Sequence, residues 1–289
     1  MTAPAPSGRR PKVALVVGSG GLKCVAALGL WRVLAREGVE VDMFVGCSGG
    51  SIYVSAMAFG FPLEESIKRS YDLWSDRFRK KNLRAILQII APRLFSFNED
   101  FGLVDDRGVN VALEDVFGDR RIEQAGKPLF IVATDFRTGE KVVLESGRLA
   151  DAVRASIAIP LALRPWTIDG RKLVDGGASD PLPIDVAIRE GADVILAMGF
   201  ESAMVKEIST PAALALQAST VTMNYLIRAT FAFYNLAHHA EVIPIMPIIE
   251  NRVGLSDTHL IPYLIEQGEK AAEREMPYLS KILAGEGAH

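Results

Sequence analysis

Three short stretches hold residue types that could do chemistry together. Gly46-Cys47-Ser48-Gly49-Gly50 sets a serine in the pattern G-x-S-x-G, at the end of the apolar run 41–46. Such a pattern often marks a serine on a sharp strand-to-helix turn, with its hydroxyl available for attack. Gly18-Ser19-Gly20-Gly21-Leu22-Lys23 lies between the β-branched run 12–18 and a stretch with helical spacing. Glycines there let backbone amides face an anion, and the start of a helix adds partial positive charge. Leu173-Val174-Asp175-Gly176-Gly177 closes another apolar run with a carboxylate and two residues that permit close approach.

Each stretch also has a plainer reading. The glycine loop could be a tight turn, Ser48 a helix N-cap, and Asp175 an Asx-turn residue. As an anion site, the loop fits neither dinucleotide binding, whose third glycine position holds Lys23, nor the phosphate-binding P-loop spacing. The remaining use is an oxyanion hole for the tetrahedral intermediate of acyl transfer. Neighbouring strand ends of a parallel sheet share one edge, so this loop and Ser48 are expected close together.

A nucleophilic serine needs a proton acceptor. The chain has four histidines, all in its last fifth. A triad in the order Ser…Asp…His would use Ser48, Asp175 and one of His238, His239 or His259. A fold with that triad normally places several strands before the one that carries its serine, however, and here there is one. The "AHHAE" run also ends an amphipathic helix, where cations are favoured anyway. The other proposal is Asp175 acting directly. An ordinary aspartate, with a pKa of about 3.9, is a poor base. Burial raises that value and makes the carboxylate a better acceptor. The two glycine-rich loops together favour the Ser48–Asp175 dyad.

These residues must be positioned by alternating elements. Strands are predicted at 12–18 and 41–46, and helices at 22–38 (with Gly38 as C-cap) and 51–60, a pattern that argues for a parallel sheet covered by helices. Residues 63–127 read as helices with polar connections; within them 83–97 is strongly apolar and carries Arg84 and Arg93. Strands resume at 128–136 and 141–146 as a hairpin, then at 167–177 as a second hairpin turning at Asp169-Gly170. A buried strand is predicted at 191–200. A last candidate, 241–249, is weakened by its prolines. The stretch 211–240 reads as a long amphipathic helix, because Gln217, Asn224, Arg228 and Asn235 give it one polar stripe. It is too polar to span a bilayer. No repeat or linker composition appears, so one α/β domain is the simplest account.

Composition narrows the function. Of the 289 residues, 49% are hydrophobic, enough for a sizeable core, and the net charge of −3 argues against nucleic-acid binding. Two cysteines, Cys24 and Cys47, make no disulfide framework and suit a reducing compartment. The first eleven residues lack the apolar core of a signal peptide and read as a disordered tail. A cytoplasmic location is expected.

A glycine loop, then G-x-S-x-G about one helix later, then D-G-G far downstream: this combination resembles the patatin-like phospholipase family. Residues 132–197 read as that family's second half nearly throughout. The resemblance covers roughly 12–200 and implies a parallel-rich central sheet with helices on both faces, in three layers. It implies a catalytic domain at 12–200, with 201–289 as a C-terminal helical extension packed on the same domain. Lipid acyl hydrolysis without metal or organic cofactor is the implied activity. By position, Ser48 would be the nucleophile and Asp175 the base. The amides of Gly20, Gly21 and Leu22 would form the oxyanion hole, Lys23 would help order that loop, and "RASIAIP" (154–160) would line the site. The sequence departs from the family at Cys24 and Ser19, where glycine is common. The expected substrates are fatty-acyl esters of (lyso)phospholipids or related lipids. An acyltransferase or thioesterase with the same dyad, or a catalytically silent lipid-binding protein, are the alternatives. Apolar surface on 83–97 and 211–240 would give weak, reversible membrane contact, although both segments also read as core helices.

Overall fold

A computed structural model describes residues 9–75, 80–204, 207–237 and 240–285; His238 and His239 lie outside the described residues. The β-branched runs form the centre of a sheet. β1 (Val13–Val17), β2 (Met43–Cys47), β3 (Leu129–Asp135) and β7 (Val194–Met198) are buried at every residue. Strands covered on both faces need apolar side chains at consecutive positions, which is why these runs do not alternate.

Eight strands join in one sheet, completed by β4 (Lys141–Leu144), β5 (Trp166–Ile168), β6 (Arg171–Asp175) and β8 (Glu241–Ile245). The order is β5-β6-β3-β2-β1-β7-β8, with β4 also paired to β3. From β3 through β2, β1 and β7 to β8 the pairing is parallel, while β4, β5 and β6 run antiparallel to their neighbours. β8 is an edge strand, where Pro244 costs little because its missing N–H can face away from the sheet. The β5–β6 turn places Asp169 and Gly170 at φ 49° and 76°, the left-handed pair that the Asp-Gly sequence predicts.

The register around β3 positions the site. Val132 pairs with both Cys47 of β2 and Val143 of β4, so β2 and β4 lie on opposite edges of β3. Ala133 pairs with both Val142 of β4 and Asp175 of β6, so β6 also lies opposite β4. β2 and β6 therefore share one edge of β3 and approach each other end to end, stopping at adjacent positions.

Helices cover both faces. On one, Val13, Leu15 and Val17 pack with α1 (Ala26–Arg36), α2 (Gly49–Ala58), α5 (Arg107–Phe117), α6 (Leu149–Ser156) and α9 (Ile261–Leu283). On the other, Ala14 and Val16 pack with α7 (Ile184–Arg189) and with Ile227 of α8 (Pro211–Ala237). Two further helices, α3 (Leu63–Leu73) and α4 (Leu83–Ile90), connect α2 to α5. α9 crosses α1 in backbone contact: a Cβ at Gly268 would sit 1.9 Å from the Ala26 carbonyl oxygen. Gly268→Ala is expected to force the helices apart and cost about 1–3 kcal/mol, read as a lower urea midpoint at unchanged slope.

Candidate active site

Ser48 is the residue at which β2 turns into α2. Its backbone adopts φ 54° and ψ −132°, outside the regions that L-residues favour. Such an elbow demands small neighbours. Cβ atoms at Gly49 and Gly50 would fall 2.4 Å from the Gly21 carbonyl oxygen and 2.2 Å from that of Val17. The serine elbow and the glycine loop are thus in backbone contact, as the shared strand edge predicts.

Asp175 arrives from the opposite direction at the end of β6. Its Oδ2 accepts a hydrogen bond from the Ser48 hydroxyl at 2.6 Å. The other carboxylate oxygen, Oδ1, accepts from the Gly177 N–H at 2.8 Å, which fixes the plane of the group. The Asp175 backbone is held as well, its N–H donating to the Ala158 carbonyl at 3.0 Å and its carbonyl accepting from Thr134 Oγ1 at 2.9 Å. Ser48 and Asp175 are only 4% and 6% exposed. Burial pushes the Asp175 carboxyl up to about 6, against the opposing pull of the Ser48 and Gly177 donors. The direct 2.6 Å contact leaves no room for an imidazole between the two side chains. His259 lies exposed on a short 3₁₀ turn.

One positioning residue escaped the sequence reading. The Ser48 backbone N–H donates to Ser156 Oγ at 2.8 Å, and the Ser156 hydroxyl donates to the Val132 carbonyl at 2.6 Å. Ser156 therefore braces the strained elbow against β3 from the end of α6. Its only sequence signal was membership of the 154–160 segment. Two positions earlier, Arg154 is buried and holds α6 in place. It donates from Nη2 to Asp106 Oδ2 at 2.9 Å and from Nε to Asn110 Oδ1 at 2.7 Å, with its guanidinium over the Trp166 ring. Arg164 donates to the other oxygen of Asp106 at 2.5 Å.

The glycine loop enters a 3₁₀ turn at Gly21–Val25. Lys23 N–H donates to the Gly20 carbonyl at 3.2 Å, so the amides of Gly20, Gly21 and Leu22 precede the first repeat of the turn. The Lys23 side chain is buried and ties the loop to the segment after β7. Its Nζ donates to the Glu201 carbonyl at 3.0 Å and to Ser202 Oγ at 2.6 Å, and burial lowers its pKa to about 8. Cys24 donates to the Gly18 carbonyl at 3.4 Å, and its sulfur would lie 3.1 Å from a Cβ at Gly49, filling the space between loop and elbow. Cys47 lies 3.1 Å from Ser19 Oγ. Both thiols are free, and burial pushes both pKa values up, which keeps them neutral.

A sheet with an elbow serine facing a strand-end aspartate defines a class. The patatin-like phospholipase pattern matches residues 15–188, and the chain belongs to that family. Among similar proteins, an uncharacterized NTE family protein of Mycobacterium tuberculosis is 30% identical over 243 residues, covering 81% of this chain and 62% of that protein. The mouse patatin-like phospholipase domain-containing protein 7 is 32% identical over 190 residues, 64% of this chain and 13% of that protein. The chain thus spans less than two thirds of either relative. In three dimensions it resembles human GIVD cytosolic phospholipase A2, solved with a fluorophosphonate inhibitor. The TM-score is 0.53 at 13% identity, over 96% of this chain and 59% of that one. This likeness supports the fold.

The Asp175 environment has a consequence for stability. A carboxyl near 6 in the fold and about 3.9 when unfolded binds more protons in the native state between those values. Stability should therefore fall as pH rises from about 4 to about 6, by about 3 kcal/mol in all. Asp175→Asn is expected to melt higher than the unsubstituted protein at neutral pH and to lose that part of the slope. A lower melting temperature for Asp175→Asn at neutral pH would contradict this account.

Proposed function

We propose that the protein is a serine acyl hydrolase that cleaves fatty-acyl esters of lysophospholipids, phospholipids or related lipids. The observation that supports it is the 2.6 Å hydrogen bond from Ser48 Oγ to a buried, basic Asp175 carboxylate, beside a backbone-lined loop. In this reading Asp175 takes the hydroxyl proton as Ser48 Oγ attacks the ester carbonyl carbon. The amides of Gly20, Gly21 and Leu22, with the start of α2, stabilise the oxyanion. The tetrahedral intermediate collapses, the alcohol leaves with the proton from Asp175, and an acyl-serine remains. Asp175 then deprotonates water, which attacks the acyl carbonyl; the fatty acid departs and Ser48 recovers its proton.

A carboxylate near 6 suits both tasks, because it is ionised at neutral pH yet basic enough to accept a proton in the transition state. Lys23 supports the oxyanion loop by tying it to Glu201 and Ser202. Substrates of this class reside in bilayers, so the reading includes reversible peripheral contact between a cytoplasmic protein and a membrane. Among the described residues no helix is long and apolar enough to cross one.

The test joins labelling to turnover. A fluorophosphonate reagent is expected to modify Ser48, and Ser48→Ala to abolish both labelling and release of fatty acid. Asp175→Ala should lower turnover at least about 10⁴-fold with the fold intact. Activity should rise about tenfold per pH unit below about 6 and level off above it, as the base ionises. Full activity in Asp175→Ala would refute the dyad. Appearance of the acyl group on an added acceptor, with little free fatty acid, would instead identify an acyltransferase.

A further inference from the structure

α4 and the turn that follows it turn apolar side chains outward. Ala85 and Gln88 face inward and are buried. Leu83, Ile90 and Leu94 are 74%, 74% and 77% exposed, and Ile86, Leu87, Ile89 and Phe97 are also exposed. Seven large apolar side chains open to solvent within 15 consecutive residues form the kind of contiguous patch that marks an interaction surface.

Charge selects the partner. Residues 80–98 carry Lys81, Arg84 and Arg93, besides Lys80 paired with Asp105, and no acid. The next acids along the chain, Glu99 and Asp100, are engaged by Arg137 and Lys172. Two copies of this face would bring like charges together, whereas an anionic lipid surface complements them. α8 lacks this combination, since its Arg228 is paired with Glu201.

Connectivity ties the patch to the site. Asn82, which caps α4, donates from its backbone to the Leu103 carbonyl at 2.8 Å and from Nδ2 to the Gly102 carbonyl at 3.0 Å. Leu103 and Val104 in turn donate to the carbonyls of Leu161 and Ala162, each at 2.9 Å. Those residues continue from Ala158, whose carbonyl holds the Asp175 N–H. Leu161 itself is exposed.

We propose that α4 and residues 91–97 are the surface on which the protein docks to an anionic bilayer, with the apolar side chains seated among the lipids, Arg84 and Arg93 at the headgroups, and the segment that runs on from Ala158 beside Asp175 turned to the membrane. The orientation rests on the acyl-hydrolase reading, whereas the docking does not. The geometry is that of an interfacial amphipathic helix, whose binding grows with apolar area and anionic lipid.

Sedimentation of the full chain carrying Ser48→Ala, with phosphatidylcholine vesicles alone or with about one third phosphatidylglycerol, tests it without lipid turnover. Binding should require the anionic lipid and weaken with salt. It should fall at least about tenfold with Ile90→Glu plus Leu94→Glu, and about fivefold for each of Arg84→Gln and Arg93→Gln. In the Ser48-bearing protein, Ile90→Glu plus Leu94→Glu should slow hydrolysis of vesicle lipid while a soluble short-chain ester is still cleaved. Undiminished vesicle binding by the double variant would overturn the proposal. So would a dimer in lipid-free solution that Ile90→Glu plus Leu94→Glu dissociates, since a second copy would then own the patch. Failure of every ester substrate with vesicle binding intact would overturn the hydrolase reading and leave the docking surface standing.

Discussion

The contact between the Ser48 hydroxyl and the Asp175 carboxylate exists because two strands run head-on along one edge of β3. β2 stops opposite Val132 and β6 stops opposite Ala133, so the residues that follow and end them have nowhere to go but toward each other. The mixed character of the sheet is therefore part of the site. A parallel β6 could not bring its C-terminal carboxylate to the C-terminal end of β2 along a shared edge. The remaining supports hold this meeting in place: Ser156 clamps the elbow, Gly177 orients the carboxylate, and Thr134 and Ala158 fix its backbone.

The enclosure that holds the two side chains together also strains them. Ser48 occupies an unfavourable backbone conformation, and Asp175 is a buried acid whose carboxylate is met by a hydroxyl and a backbone amide. Removing an ion from water costs free energy, so the fold tolerates at Asp175 what it avoids at Asp106, where two guanidinium groups neutralise the buried carboxylate. The contrast separates the two roles. Asp106 anchors helices through paired charge, whereas Asp175 keeps its basicity because its partners are a hydroxyl and a backbone amide.

Much of this was legible in the sequence because it depends on local signals. Uninterrupted β-branched runs mark doubly covered strands, Asp169-Gly170 marks its own turn, and the glycines around Ser48 mark an elbow. The pairing of Ser48 with Asp175 was inferred from the kind of chemistry each side chain could support. Ser156 was not singled out, since a serine that bonds a backbone amide 108 residues away leaves no local pattern. The edge shared by β2 and β6 was equally hidden, because register between distant strands is a property of the assembled sheet. β8 was weakened by Pro244, a residue that an outermost strand accommodates and a central one would not. The apolar run 83–97 was visible, but which way its side chains face depends on what α4 packs against.

The end-to-end approach of β2 and β6 also decides where this chain can change length. Residues added at the Asp169–Gly170 bend loop outward and leave β6 in register. A single residue inserted between Arg171 and Asp175 would rotate every later side chain to the opposite face of the sheet and carry the carboxylate away from its hydroxyl. Drift in sequence length among descendants of this protein should therefore gather at the bend and spare the strand that leads from it to the acid.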